Sequence, residues 1–330
     1  MFNRNTKFLS FSTILLFIFL VFTSCESENN VRIIKLGHGL DITHPVHKAM
    51  VFMAERLQEK SKGAMRLDIY PSQQLGSERE CLELLQIGSL GMAKVSTATI
   101  ENFVPSLKIL GLPFLFRNKE HRYAVLEGEV GEELLDASLP QRLKGLTFYD
   151  AGSRNFYSKV PIRTPKDLEG LKMRVMESQS AINMVKALGG SPTPISWGEL
   201  YTALQQGIVD GAENNLPSFY LSRHYEICKY FTMDEHTSVP DELIVGTLLW
   251  DKLTEQEQKW LKDAALESRT YEKKIWHDAE MEALKQIEVE GVEIIQIDKE
   301  SFSEEVQPMY QAYQEDPKMK MLIEKIKAVN

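Results

Sequence analysis

The chain has 330 residues, 43% of them hydrophobic and 26% charged, with a formal net charge of -9. That length suits two domains of roughly 100 to 200 residues each, and the composition excludes long disorder and a multi-span membrane protein. The acidic balance argues against nucleic acid, which rewards a basic face.

The first residues read as an export signal. Arg4 and Lys7 give a basic start, Phe8 to Phe22 an apolar run short for a spanning helix, and Thr23 and Ser24 small residues before Cys25. A polar stretch, ESENN, follows. The arrangement resembles that of bacterial lipoproteins, whose cysteine becomes the lipidated first residue. On that reading residues 1–25 are a lipoprotein signal peptide, Cys25 is the lipidation site, and a soluble body is tethered beside the membrane. A signal cleaved elsewhere and an uncleaved anchor are the alternatives. Export permits disulfides, yet Cys81 and Cys228 lie far apart, each inside a helical pattern, which predicts two free buried thiols.

From Val31 onward short strand-like runs alternate with helical ones, the pattern of an α/β protein. VRIIKLGHGL predicts a strand, and His44 to Lys62 a helix with Val46, Met50, Met53, Ala54 and Leu57 on one stripe. MRLDIYP is the next strand. Ser77 and Glu80 form a capping box opening a helix that Gly88 ends in a left-handed cap. GMAKVSTAT predicts a third strand, FVPSLKILGLPFLF an irregular buried segment, and Asn118 to Leu143 a helix; LTFYDAGS then crosses into a second block. That block repeats the logic: strand KMRV, helix Ala181 to Leu188 closed by Gly189, strand SPTPI, a second capping box at Ser196 and Glu199, a helix stopping at Gly207, and a short strand VDGAEN. A strand pair around YFTMD and ELIVGTLLW precedes a helical pattern from Thr254 to about Val289. At 1.5 Å per residue that helix spans roughly 50 Å, too long for one compact domain, so it straddles both.

No GxSxG elbow, Walker loop, GxGxxG, HExxH or CxxC pair occurs. His44 and His47 at a helix start lack further ligands nearby for a metal and read as capping or packing residues. Asp234, Glu235 and His236 are adjacent and so form no catalytic triad; they fit hydroxyl contacts or structural roles. Arg174 stands on a strand between apolar neighbours, so its planar fork must reach a cleft and hold a carboxylate, or pair internally. Arg154, at a strand end after GS, is a second donor or a structural bridge. Asn214 and Asn215 can donate and accept toward hydroxyls, with turn formation as the alternative. Glu213 suits sugar hydroxyls or support of an arginine, and Trp197 suits a sugar-facing wall or core packing.

In order along the chain, YPSQQLGSERE, GSRNFYS, DLEGLKMRV, GGSPTPISWGELYTALQQGIVDGAENN and the long helix resemble the extracytoplasmic solute-binding subunits of TRAP transporters, a family that contains C4-dicarboxylate and sialic acid binders. The likeness covers nearly all of residues 31–330. It implies an α/β fold of two lobes, a periplasmic-binding-protein-like clamshell with the long helix spanning both. Residues 26–151 and 240–279 are expected in the first lobe, 152–239 and 280–330 in the second. The resemblance assigns the principal salt bridge to the substrate carboxylate to Arg174, a second contact to Arg154, and the asparagine contact to Asn214. It implies no catalysis and no cofactor or metal, with small and large membrane permease subunits as partners. Ser96 stands where sialic acid binders carry a glutamate. NNLPSFYLSRHYE and DEHTSVPDELIV look most like members that take hexuronates, which gives His236 and Asp241 hydroxyl contacts. The expectation is a periplasmic, lipid-tethered receptor for a hexuronate such as glucuronate or galacturonate. The alternatives are a receptor for a C4-dicarboxylate or other keto or sugar acid, and an exported sugar-acid isomerase or lyase.

Overall fold

The computed structural model describes residues 31–330; the expected signal peptide and the expected lipidation site Cys25 lie outside the described residues. The first half of the chain runs β1 (Arg32–Gly37), α1 (Pro45–Lys60), β2 (Met65–Tyr70), α2 (Glu78–Gln86), β3 (Met92–Ser96), α3 (Thr97–Ile100), α4 (Lys119–Glu127), α5 (Glu129–Asp136) and β4 (Leu143–Tyr149). It continues through β5 (Arg154–Ser158), β6 (Lys172–Val175), α6 (Gln179–Ala187), β7 (Ser191–Pro194), α7 (Leu200–Gln205), β8 (Gly211–Asn214), α8 (Leu216–Leu221) and β9 (Tyr230–Thr237). The remainder is β10 (Asp241–Gly246), α9 (Thr247–Trp250), α10 (Glu255–Val289), β11 (Glu293–Gln296), α11 (Lys299–Glu305), α12 (Gln307–Glu315) and α13 (Pro317–Ala328).

These strands form two sheets, ordered β2-β1-β3-β10-β4 and β11-β9-β5-β8-β6-β7. In the first, β10 is antiparallel to both neighbours; in the second, β5 is. The reversal has a simple cause. These are the strands by which the chain enters one sheet from the other, so each starts at the junction where its neighbours end. Ligand sites in such sheets lie outside the carboxyl ends of the parallel strands, which here face one another across the junction.

Local chemistry sets the elements. The His44 side chain caps α1, Pro45 occupies its first turn, and Val46, Met50, Met53 and Leu57 are buried together. Ser77 and Glu80 form a reciprocal capping box on α2, and Gly88 follows it at φ +77°. Helix α10 is opened by another box, Thr254 Oγ accepting from Glu257 N at 3.2 Å and Glu257 Oε2 from Thr254 N at 2.8 Å. Its Leu261, Ala264, Ala265 and Trp276 join a core with β1 and α1, while Ile287 joins a core with Tyr157, Leu204 and Phe231 in the second sheet's half. The straddling helix is thus anchored in both.

Several expectations are corrected. The helix from Asn118 to Leu143 is broken at Gly128, whose backbone is extended, and Leu143 already belongs to β4. The third strand ends at Ser96, where the Ser96 side chain caps a helical turn. The supposed strand pair is none, because β9 and β10 lie in different sheets. At the second supposed capping box, Ser196 Oγ donates to the Glu199 carboxylate at 2.8 Å and caps no backbone N–H. Cys228 follows a short turn instead of lying in a helix; it and Cys81 are both buried and free. The final helix, α13, packs on first-lobe elements: His121 Nε2 meets Ile326 O at 2.9 Å and Lys325 pairs with Glu133 at 2.6 Å. The tail of the 280–330 segment therefore returns across the junction instead of staying in the second lobe.

Replacing Thr254 with alanine removes one half of the α10 capping box. We expect a loss of about 1 kcal/mol, read as a lower urea midpoint at unchanged slope.

Candidate functional site

A cleft of about 730 Å³ opens between the two sheets. Its wall on the first-sheet side carries Gln73, Glu78, Lys94, Ser96 and Asp241; the opposite wall carries Arg174, Met176, Trp197, Asn214, Asn215 and Ser218; Ala151, Arg154, Val239 and Trp276 close the floor. The two sides touch, His44 Nε2 lying 3.2 Å from Ser218 Oγ, and Gly198 has no room for a Cβ beside the Gln73 carboxamide. The arrangement is closed.

Arg174 projects from β6, next to the strand ends, and only 2% of its surface is exposed. Its Nε donates to Ile195 O at 2.9 Å, its guanidinium carbon lies 5.8 Å from the Trp197 ring centre, and its buried Nη1 has no partner. Among the described residues no carboxylate pairs with it. Burial accordingly lowers its pKa from the ordinary guanidinium value.

Arg154, at the start of β5, is fully committed. Its Nε and Nη2 grip both Glu213 oxygens, Nη2 also donates to Glu213 O at 2.8 Å, and Nη1 donates to Asn214 Oδ1 at 2.9 Å. The same Asn214 oxygen accepts from Asn215 N at 2.9 Å, which leaves the Asn214 amide group for the cleft. Asn215 caps α8, its Oδ1 accepting from Ser218 N at 2.8 Å. Glu213 and His236 do not line this cleft. They stand behind it with Asp234: His236 Nδ1 is 2.7 Å from Asp234 Oδ2 and Nε2 is 3.5 Å from Glu213 Oε2. Burial would raise Glu213, but Arg154 and His236 outweigh it and hold the carboxyl at about 2. For His236 burial works against the charge, yet Asp234 and Glu213 push its pKa up to about 9.

Of the residues singled out by sequence, the structure brings Arg174, Arg154, Asn214, Asn215, Trp197, Asp241 and Ser96 to one cleft, and leaves Glu213 and His236 behind its wall. Lys94, Glu78, Gln73, His44 and Trp276 also line it and were not anticipated. Lys94 is buried in β3 between Glu78 Oε1 at 3.0 Å and Asp241 Oδ2 at 3.1 Å. Burial disfavours its charge, but the two acids more than compensate and raise its pKa to about 12. A lysine in the otherwise apolar run MAKV is the available signal, since a buried ammonium requires acidic partners. His44 is held neutral, its pKa lowered to about 3 chiefly by burial, so it meets Ser218 as a hydrogen-bonding ring and not as a cation.

The model of the family described as bacterial extracellular solute-binding protein, family 7, matches residues 36–316. The uncharacterized protein YiiZ of Salmonella typhimurium is 40% identical over 298 residues, 89% of this chain and 90% of the relative. A TRAP periplasmic solute-binding protein from Xanthobacter autotrophicus Py2, solved with bound β-D-galacturonate, is 37% identical with a TM-score of 0.88, covering 90% of this chain and 100% of that one. Another, from Chromohalobacter salexigens DSM 3043 with bound D-glucuronate, is 31% identical with a TM-score of 0.87 over 90% and 100% of the two chains.

The buried histidines make stability depend on pH in opposite senses. His236, with a folded pKa near 9, contributes stability that is fully present below about 6.5 and is lost as pH rises through 9. His38, His44 and His224, lowered by burial to about 2, 3 and 3, resist protons that the unfolded chain accepts, so stability falls as pH drops from 6.5 toward 3. Thermal midpoints at pH 6.5 and 9 should therefore differ in the wild type, and His236→Gln should remove most of that difference.

Proposed function

The chain belongs to bacterial extracellular solute-binding protein family 7, the periplasmic receptors that hand small organic acids to TRAP permeases, and from that premise we propose that its ligand is a hexuronate such as glucuronate or galacturonate. It is a transport receptor and not an enzyme. One observation carries the ligand assignment: Arg174 is a buried guanidinium on the cleft wall with an unpartnered Nη1 and no acid paired with it. A charge so placed demands an anion, and a carboxylate matches its planar fork with two parallel hydrogen bonds.

The rest of the cleft supports a hydroxylated monocarboxylate. Trp197 offers a flat apolar face beside Arg174, suited to the C–H face of a sugar ring. The Asn214 amide, and the Glu78 and Asp241 carboxylates around Lys94, supply donors and acceptors for ring hydroxyls. A C4-dicarboxylate is the weaker alternative, because the other two cleft cations, Arg154 and Lys94, are already paired with acids. The solved relatives that hold galacturonate and glucuronate favour the same choice. Arg154 serves here as a support that fixes Asn214 and as a secondary source of positive potential. Glu213 and His236 act behind the wall through it, and Ser96 and Asn215 place polar groups at its edge.

Binding is lobe closure on this acid, driven by the greater number of contacts that the closed form makes. The membrane partners are the permease subunits. For the tether, the basic start, the apolar run and the small residues before Cys25 support a lipoprotein signal, with the polar stretch after it linking the receptor to the lipid.

Charge-assisted hydrogen bonds contribute roughly 1.5 to 3 kcal/mol each. Arg174→Ala should therefore weaken D-galacturonate or D-glucuronate binding at least about a hundredfold by isothermal titration, and Arg174→Lys should recover little. Unchanged affinity would remove Arg174 from the site. For the tether, Cys25→Ala should move the protein from the membrane fraction to the soluble periplasmic fraction; an unaltered distribution would refute lipidation at Cys25.

A further inference from the structure

The chain passes between the sheets twice near the cleft floor, from β4 to β5 and from β9 to β10. The last registered pair in the first sheet is Tyr149 with Asp241, and the first in the second sheet is Arg154 with Thr237. The two crossings thus run side by side and antiparallel, as one ribbon whose ladder is interrupted. Between residues 150–153 and 238–240 no backbone hydrogen bond joins the strands. A ribbon without ladder bonds is where bending costs least.

One side chain spans that gap. Arg122, on α4 and 5% exposed, donates from Nη2 to Asp150 Oδ1 at 2.8 Å in the first crossing and from Nη1 to Ser238 Oγ at 3.0 Å in the second. Asp150 is fixed further by the Tyr123 hydroxyl and by its own N–H, which donates to Glu272 Oε2 at 3.2 Å on α10. Beyond Arg122, the crossings meet through Ser153 Oγ and Ser238 Oγ, 3.3 Å apart. Gly152, at φ +60°, packs against Trp276 on the cleft floor, so the clasp adjoins the ligand space without entering it.

We infer that Arg122 is a positioning residue of the hinge. By holding both crossings at once it stabilises the closed arrangement of the lobes, and so sets affinity for every ligand while touching none. The clasp is present together with the contacts across the cleft mouth, His44 with Ser218 among them, and therefore belongs to the closed form. Bending the ribbon alters the separation of Asp150 and Ser238, which a planar fork with two fixed donors resists. The apparent dissociation constant scales inversely with the fraction of closed-competent protein, so a lost clasp penalises all ligands by one factor. This role does not depend on which acid the cleft holds.

The test uses the full chain with Cys25→Ala and one spin label in each lobe, at Ser89 and Lys186, both exposed; Cys81 and Cys228 are buried and escape labelling. Arg122→Ala should shift the inter-label distances toward the open form. It should weaken D-galacturonate and D-glucuronate binding by the same factor, about tenfold, with Ser238→Ala giving about threefold and Arg122→Lys an intermediate loss. Wild-type distances with wild-type affinities would overturn the inference, as would a loss confined to one of the two acids. Should Arg122→Ala fail to fold, Ser238→Ala and Arg122→Lys decide by the same criteria. If neither uronate binds the wild type, the ligand assignment fails, and the distances in ligand-free protein still decide the role of Arg122.

Discussion

An arginine with nowhere to put its charge organises this molecule. Taking a guanidinium out of water is expensive, and folded proteins meet the cost with a carboxylate close by, as they do here for Arg154 with Glu213 and Arg122 with Asp150. Arg174 has only a backbone oxygen and the face of Trp197. On the proposed reading, the ligand's carboxylate relieves that unfavourable term. The neighbouring cations, Arg154 and Lys94, are neutralised by acids that the chain itself supplies.

The scaffold explains how such a site can open. Each sheet ends at the junction, each receives one reversed strand from the other, and α10 is rooted in both cores. The lobes are joined by the ribbon of two crossings, by α10 and by the returning tail, a set of connections that permits rotation while limiting sliding. Behind the cleft wall, Arg154, Glu213, His236 and Asp234 form a buried polar cluster that links β5, β8 and β9, with Arg154 also holding Asn214.

The sequence made the architecture legible because its punctuation was strong: Ser77 with Glu80, Gly88, Gly189 and Gly207 mark element ends that the structure keeps. It misled where tertiary context won. Leu143 reads as the end of a helix but opens β4 of the first sheet, and β9 and β10 read as neighbours although the chain changes sheets between them. Arg174 stood out in the sequence as a charge flanked by apolar residues. Lys94 carries the same signature, but its partners Glu78 and Asp241 lie 16 residues before it and far downstream of it, beyond the reach of local pattern. Glu213 stands behind the wall because it alternates with cleft-lining Asn214 along β8, and His236 lies on β9, which pairs with β5 through an irregular register.

The exchange of strands also bears on the order of events during synthesis. Because β10 sits between β3 and β4, the first sheet lacks an interior member until residue 246 has emerged, and the second awaits β11 at residues 293–296. Neither half can complete its hydrogen bonding early, and the pairings that finish them join segments distant along the polypeptide, which makes them slow. A polypeptide built this way stays loosely structured until nearly all of it has been made, which leaves its unpaired strand edges open to other chains for the whole of that interval.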